Sequence, residues 1–159
     1  MSAVLDELGD VLGGLIAGEG SFTSSRSGAY VSGEERRKFA FQLSMASRDR
    51  PLLDILRQLL GVGSVTDYDR RQAHWQPVSV LTVRSIRAHR AAVIPFCERY
   101  LPPETHKFKQ FEAWKAALDA WTAIHPAERT KGTCSESGCE RPIRGRGLCR
   151  HHYYQATGY

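Results

Sequence analysis

No stretch of this chain is apolar for long enough to cross a membrane, which takes about twenty consecutive apolar residues. The N-terminus is acidic and glycine-bearing and lacks the positive-then-apolar run of an export signal. Cysteine is scarce: there are four, and three of them fall at or after position 134. That distribution excludes a disulfide framework holding the whole chain together. With no export signal, the expected setting is cytoplasmic and reducing, prokaryotic or phage in context, where clustered cysteines more often hold metal than pair. Nor is there an internal repeat, because the one glycine-rich apolar stretch near the N-terminus has no second copy.

What is present suits a globular domain. The 159 residues allow one ordinary domain and a small appendage, and 42% hydrophobic content can fill a core. A net charge of +5 and a pI near 9.2 tilt the surface toward polyanionic partners.

The most informative stretch is Leu12 to Phe22. Val4, Leu5, Leu8, Val11, Leu12, Leu15 and Ile16 recur at helical steps leading into it. Gly14 and Gly18, four apart, leave one helix face without side chains, so a second helix can approach closely. Glu19 then stands in the last turn and Gly20 stops the helix. A helix C-terminus is already negative, so a carboxylate there is poorly placed unless a hard divalent cation takes both acid and carbonyl oxygens.

Beyond Gly20 the period becomes two. Ser21, Thr23 and Ser25 interleave with Phe22 in a strand expected to end near Gly28, and a polar turn follows to Glu35. Lys38 to Ala46 alternates Phe39, Phe41, Leu43 and Met45 with small, polar or basic residues. Ser47 to Asp49 offer caps and Pro51 a first turn for a helix of Leu52, Leu53, Ile55, Leu56, Leu59 and Leu60 that Gly61 ends. Gly63 to Arg71 and Trp75 to Val83 read as strands, with Pro77 weakening the latter or placing it near an edge. Arg84 to Tyr100 reads as helical, with Ser85 as cap and Pro95 as break or kink. Thr105 caps a last helix carrying Phe108, Phe111, Trp114, Ala117, Leu118 and Trp121 on one side. Cys97 falls in a helical segment as a small buried hydrophobe.

The stretch from Leu12 to Gly20 resembles the signature of the LAGLIDADG homing endonucleases. Leu12, Gly14, Leu15, Ile16 and Gly20 agree with it, Gly13 and Gly18 stand for alanines, and Glu19 takes the place of the metal-binding acid. Ala17 replaces the other aspartate, so one acid is left. Leu43 to Leu53, Leu60 to Gly63 and Lys107 to Trp114 also look like the family, and the likeness covers Val4 to Ile124. It implies an α+β fold of αββαββα order with an antiparallel saddle-shaped sheet. It further implies a homodimer, because single-motif members pair through the glycine helix, here by Val11, Gly14, Leu15 and Gly18. Implied partners are double-stranded DNA and Mg²⁺, the latter held by Glu19 and the Gly18 carbonyl, with Lys107 as a basic group near the scissile phosphate. The residues implied to face the DNA groove are Ser21, Thr23, Ser25, Arg26, Lys38, Gln42, Ser44, Arg70, Arg71, His74 and Gln76. Ser47 departs from a position often taken by glutamine, which implies either slower cleavage or the transfer of water positioning to Arg48. The activity implied is site-specific, Mg²⁺-dependent hydrolysis of both DNA strands; the alternative is a cleavage-inactive relative acting as a DNA-binding regulator or RNA splicing helper.

The last segment reads separately. Cys134, Cys139, Cys149 and His152 make a C-x4-C-x9-C-x2-H spacing that fits a structural, tetrahedral Zn²⁺ site. His151 competes for the fourth place; Cys-x-x-His-Tyr resembles small zinc modules of phage and actinobacterial nucleases and favours His152. Four protein ligands leave zinc no open position for catalysis. With few large apolar groups, the segment depends on metal to fold. Arg144 and Arg146, with Arg141 and Arg150, outnumber Glu136 and Glu140 and suit DNA phosphates. The organisation expected is an endonuclease domain over 1–126, a linker over 127–133 and a zinc module over 134–159.

Overall fold

The structure is a computed structural model that describes residues 2–29, 35–69, 76–125, 134–136, 138–139, 141, 143 and 147–157. Arg70, Arg71, His74, Arg144, Arg146 and the linker 127–133 lie outside the described residues. Helix α1 (Ser2–Glu19) leads into strands β1 (Gly20–Ala29) and β2 (Glu35–Ala46), then α2 (Arg50–Leu60), β3 (Ser64–Tyr68) and β4 (Val78–Val83). A helical stretch follows, made of α3 (Ile86–Ala88), a π turn (His89–Val93) and α4 (Ile94–Tyr100); after it come α5 (His106–Ile124) and the short α6 (Arg150–Thr157). This is the αββαββα plan of an α+β fold, with one antiparallel sheet of order β1-β2-β4-β3. The chain divides into two compact units, Met1–Trp121 and Thr122–Tyr159.

Strand pairing sorts the side chains. Phe22 lies opposite Phe41, Phe41 opposite Val83, and Leu43 opposite Leu81, so these share one face of the pleat. Helices cover that face: Leu12 and Ile16 from α1, Leu53, Leu56 and Leu60 from α2, and Phe111, Trp114 and Leu118 from α5 are all buried with it. The Phe22 ring centroid lies 5.3 Å from Phe41, 5.4 Å from Phe111 and 5.4 Å from Trp114. Each such large apolar side chain stabilises the fold by about 1.5–3 kcal/mol when removed from water. β1 is an edge strand, and its register with β2 shifts between Arg26 and Ala29.

Two local expectations are corrected. β4 is an interior strand between β2 and β3; Pro77 falls just before it, and its carbonyl accepts from the Ser47 N–H at 2.9 Å. A residue outside the ladder needs no N–H to serve it, so proline does not move the strand to an edge. Asp49 makes no capping hydrogen bond to α2 and lies 3.6 Å from Arg48 instead. The helical stretch from Ile86 to Tyr100 continues through Pro95, and the π turn His89–Val93 just before it is a local distortion of the kind the proline leads one to expect. Other stops hold: Gly61 ends α2 in the left-handed region at φ 66°, and the Thr105 hydroxyl accepts from Phe108 N–H at 3.2 Å. Cys97 is buried, and burial, followed by the charge of Glu98, pushes its thiol up to about 12.

Helix α1 has two glycine pairs, and they face different surroundings. A Cβ on Gly9 would strike the Tyr100 ring, and one on Gly13 would land on the Tyr100 carbonyl. Tyr100 completes the contact by donating its hydroxyl to Asp6 at 2.8 Å, while Arg99 pairs with Asp6 at 2.6 Å. Gly14 and Gly18 instead have no atom within 4 Å of a would-be Cβ.

His89 is fully buried beneath β2. Its Nε2 lies 3.2 Å from the Phe39 carbonyl, which only accepts, so Nε2 carries the proton. Nδ1 has no hydrogen-bond partner among the described residues. The ring stands edge-on to Trp114 at 4.9 Å, and Trp114 in turn donates Nε1–H to the Thr23 carbonyl at 3.0 Å. Desolvation lowers the His89 pKa below its ordinary 6.5, although the Phe39 contact works the other way.

Two stability predictions follow from these packings. Because the folded ring binds fewer protons than the unfolded one, its contribution is present above pH 6.5 and is lost as pH falls through the lowered folded value. Urea unfolding from pH 7 to pH 5 is expected to show a steeper loss of stability in the wild type than in His89→Gln; equal slopes would show that the ring is not held neutral. Gly13→Ala is expected to destabilise the chain by about 2 kcal/mol through overpacking against Tyr100. Gly14→Ala, one residue on, should change monomer stability by less than about 1 kcal/mol.

Candidate metal centres and nucleic-acid interface

The tip of α1 gathers the first site. Glu19 and Gly18 are exposed, and among the described residues no hydrogen bond or ion pair engages the Glu19 carboxylate. Gly20 cannot be another residue, since a Cβ would lie 2.6 Å from the Ile16 carbonyl and 2.8 Å from its Cγ2. That tight exit turns the chain straight from helix into β1. Lys107, from the first turn of α5, donates Nζ to the Gly20 carbonyl at 2.6 Å. A cation is thereby fixed one residue from Glu19, where the helix end is negative. Carboxylate and helix-end carbonyls are hard oxygen donors of the kind that divalent cations take.

From this tip the uncovered face of the sheet extends. Ser21 pairs with Gln42, which pairs with Thr82, which pairs with Ser64. Thr23 lies opposite Ala40 and Ser25 opposite Lys38. Ser44 shares this face one step further along β2. The Gln42 amide donates to the Thr82 hydroxyl at 3.3 Å. These groups form a polar, mildly basic surface at two-residue spacing. Arg26 is placed differently: it lies opposite Arg37, on the pleat of Phe22 and Phe39. Gln76 is exposed just before β4, and Arg48 is exposed in the turn Ser47–Asp49.

Sequence reasoning missed several neighbours of this face. Arg36 continues the alternation of Lys38 toward the start of β2, three residues earlier than expected, and period two alone would have found it. Thr82, Ser64, Thr66 and Tyr68 bring β4 and β3 into the same surface. The Ser47 side chain is already engaged: buried Ser79 donates to it at 3.1 Å or to Asp67 Oδ1 at 2.6 Å. Arg50 closes this group by pairing with Asp67 and, at 3.3 Å, with Asp54. Contacts between residues so far apart in the chain leave no pattern in it.

Leu15 is half-buried against the core, whereas Val11 is 66% exposed and shares the open side of α1 with Gly14 and Gly18.

The second unit holds the other cluster. The sulfurs of Cys134, Cys139 and Cys149 and a ring nitrogen of His152 all lie within 4.8 Å of one another. Tetrahedral ligation at zinc distances calls for sulfur–sulfur edges of about 3.8 Å and sulfur–nitrogen edges of about 3.5 Å. Cys139 and Cys149 are 3.9 Å apart, and His152 Nδ1 lies 3.3 Å from Cys134 and 3.6 Å from Cys149. The donor set fits. His152 joins it, while His151 points elsewhere and is exposed. The Cys149 N–H donates to the Cys134 sulfur at 3.2 Å. Burial works against ionising Cys134, but donors from Cys149, Glu136 and Cys139 outweigh it and hold that thiol below its usual value.

The sequence pattern of the LAGLIDADG endonucleases matches residues 12–118, more than half of the chain. The chain belongs to the LAGLIDADG endonuclease family. The match takes in the tip of α1, the whole sheet and most of α5, and it ends before the Cys/His cluster. Solved structures agree on the fold. The meganuclease I-SmaMI bound to uncleaveable DNA is similar at TM-score 0.64 and 24% identity, over 74% of this chain and 38% of that one. The homing endonuclease I-LtrWI bound to target DNA is similar at 0.60 and 27%, over 70% and 36%. The group I intron-encoded I-CeuI complexed with DNA is similar at 0.62 and 22%, over 76% and 58%. This LAGLIDADG chain spans less than two thirds of each. No curated protein matches it by sequence. Among the described residues, no helix is long and apolar enough to cross a membrane.

Proposed function

We propose that this LAGLIDADG chain works as a homodimer that hydrolyses both strands of a specific DNA duplex with Mg²⁺, and that a structural Zn²⁺ holds its C-terminal module. The observation that carries the reading is Glu19: exposed, without a partner among the described residues, at a helix end beside Lys107. Two copies joined at Val11, Gly14 and Gly18 bring two such acids together by symmetry. Bare glycine faces allow the close backbone approach this needs.

In this arrangement Glu19 and the Gly18 carbonyl hold the divalent ion. Mg²⁺ bound there supplies an activated water and stabilises the leaving oxygen. I-SmaMI has been solved bound to uncleaved DNA in the presence of calcium ions. Lys107 keeps a positive charge near the phosphate while its contact to Gly20 fixes the end of α1. The uncovered sheet face enters the major groove, with Lys38 suited to guanine and Gln42 to adenine. Ser21, Thr23, Ser25, Ser44 and Arg36 complete the polar set. One observation favours the second reading, a DNA-binding relative without cleavage: Ser47 is engaged with Ser79, so water positioning would fall to Arg48.

Cleavage of a selected duplex with Mg²⁺ tests both. Glu19→Gln is expected to lower the rate at least a hundredfold, on the order of what losing a metal ligand removes, with DNA affinity kept. Gly14→Leu should sediment as a monomer and lose cleavage. Specific retention by the wild type with no nicking at any Mg²⁺ concentration would instead establish the second reading. For the module, His152→Ala is expected to release one zinc per chain and His151→Ala to keep it, as read by metal analysis; retention by both would sink the four-ligand assignment.

A further inference from the structure

The second unit carries a cavity that cleavage leaves unused. It measures about 450 Å³ and is lined by Arg141, Cys149, Arg150, His151 and Tyr154. That volume suits a ligand of nucleotide size. Among the described residues Arg141 and Arg150 line it, largely beside apolar surface, and no acidic side chain does, which suits an occupant with an apolar body and an anionic group. The Arg150 Cζ lies 5.8 Å from the Tyr154 ring centroid, and an aromatic face under a guanidinium restrains a side chain that otherwise samples many rotamers. Both arginines are tied to the Cys/His cluster through the backbone. The Arg141 carbonyl accepts from the Cys134 N–H at 2.9 Å, and Arg150 directly follows Cys149. His151, whose ring lies 5.2 Å from that of His152, faces the cavity instead of the cluster.

We infer that this cavity is a DNA phosphodiester site, with the phosphate between Arg141 and Arg150 and the neighbouring nucleoside against Tyr154. Such a contact adds grip without reading sequence. Stacking on an aromatic face is equally tolerant of base identity. The inference rests on the DNA-directed function proposed above and adds a second, sequence-blind anchor to it.

The test is binding of the metal-loaded full chain to several duplexes across a salt series, with metal content measured for each variant. Arg141→Gln combined with Arg150→Gln is expected to keep its metal, to weaken binding equally on every duplex, and to lower the slope of log affinity against log salt by about one. Tyr154→Phe should bind as the wild type does, and Tyr154→Ala about fivefold or more weakly. An unchanged slope in the metal-retaining double variant overturns the cavity assignment and leaves the DNA-directed function standing. A slope change seen with single-stranded RNA and absent with duplex also overturns it. A wild type without affinity for any duplex overturns the function and the inference together. Should the double variant lose metal, the two single variants decide by the same slope.

Discussion

Tyr100 lies where a side chain on α1 would otherwise be. Its ring covers Gly9, its carbonyl covers Gly13, and its hydroxyl reaches Asp6. This approach fixes α1 against α4 and, through Leu12 and Ile16, against the helix-covered face of the sheet. The angle at which α1 leaves the core therefore depends on two missing side chains. With that angle set, Gly14 and Gly18 face outward and Glu19 is delivered to the edge of the uncovered sheet face. Lys107 then holds the same end from the other side.

One helix thus divides its glycines between two tasks, and the division could not be read from spacing. Gly9 with Gly13 and Gly14 with Gly18 show the same four-residue interval. Only the packed position of Tyr100 distinguishes the pair used within the chain from the pair left open. By contrast, the order of elements was legible because each period is strong locally: two in β2, and helical steps in α1, α2 and α5. Gly61 and Thr105 stopped and started helices where their chemistry says they should. Pro77 misled because a proline just before an interior strand resembles one within an edge strand, and strand order is a tertiary fact.

The candidate sites were legible to different degrees for the same reason. Cys134, Cys139, Cys149 and His152 stood out because their residue types are rare and close in the chain. Glu19 stood out because it conflicts with its helix end. The open sheet face was half legible: alternation placed Ser21, Lys38 and Gln42, and the same alternation places Arg26 on the other pleat. The group formed by Ser47, Asp67, Ser79 and Arg50 was not legible at all, since its members come from four elements and none is unusual. Nor does anything in the chain announce that His89 is buried with an unmatched nitrogen.

The register shift of β1 between Arg26 and Ala29 bears on whether another strand can add to this edge of the sheet. An outer strand with a regular run of free N–H and C=O groups is a template on which another chain can add itself, which is how open sheets grow into aggregates. β1 keeps its register from Gly20 to Arg26, but the Gly20 and Thr23 carbonyls are already taken by Lys107 and Trp114 and the strand slips out of step beyond Arg26, so the run it offers is interrupted. Growth by strand addition is disfavoured at this border.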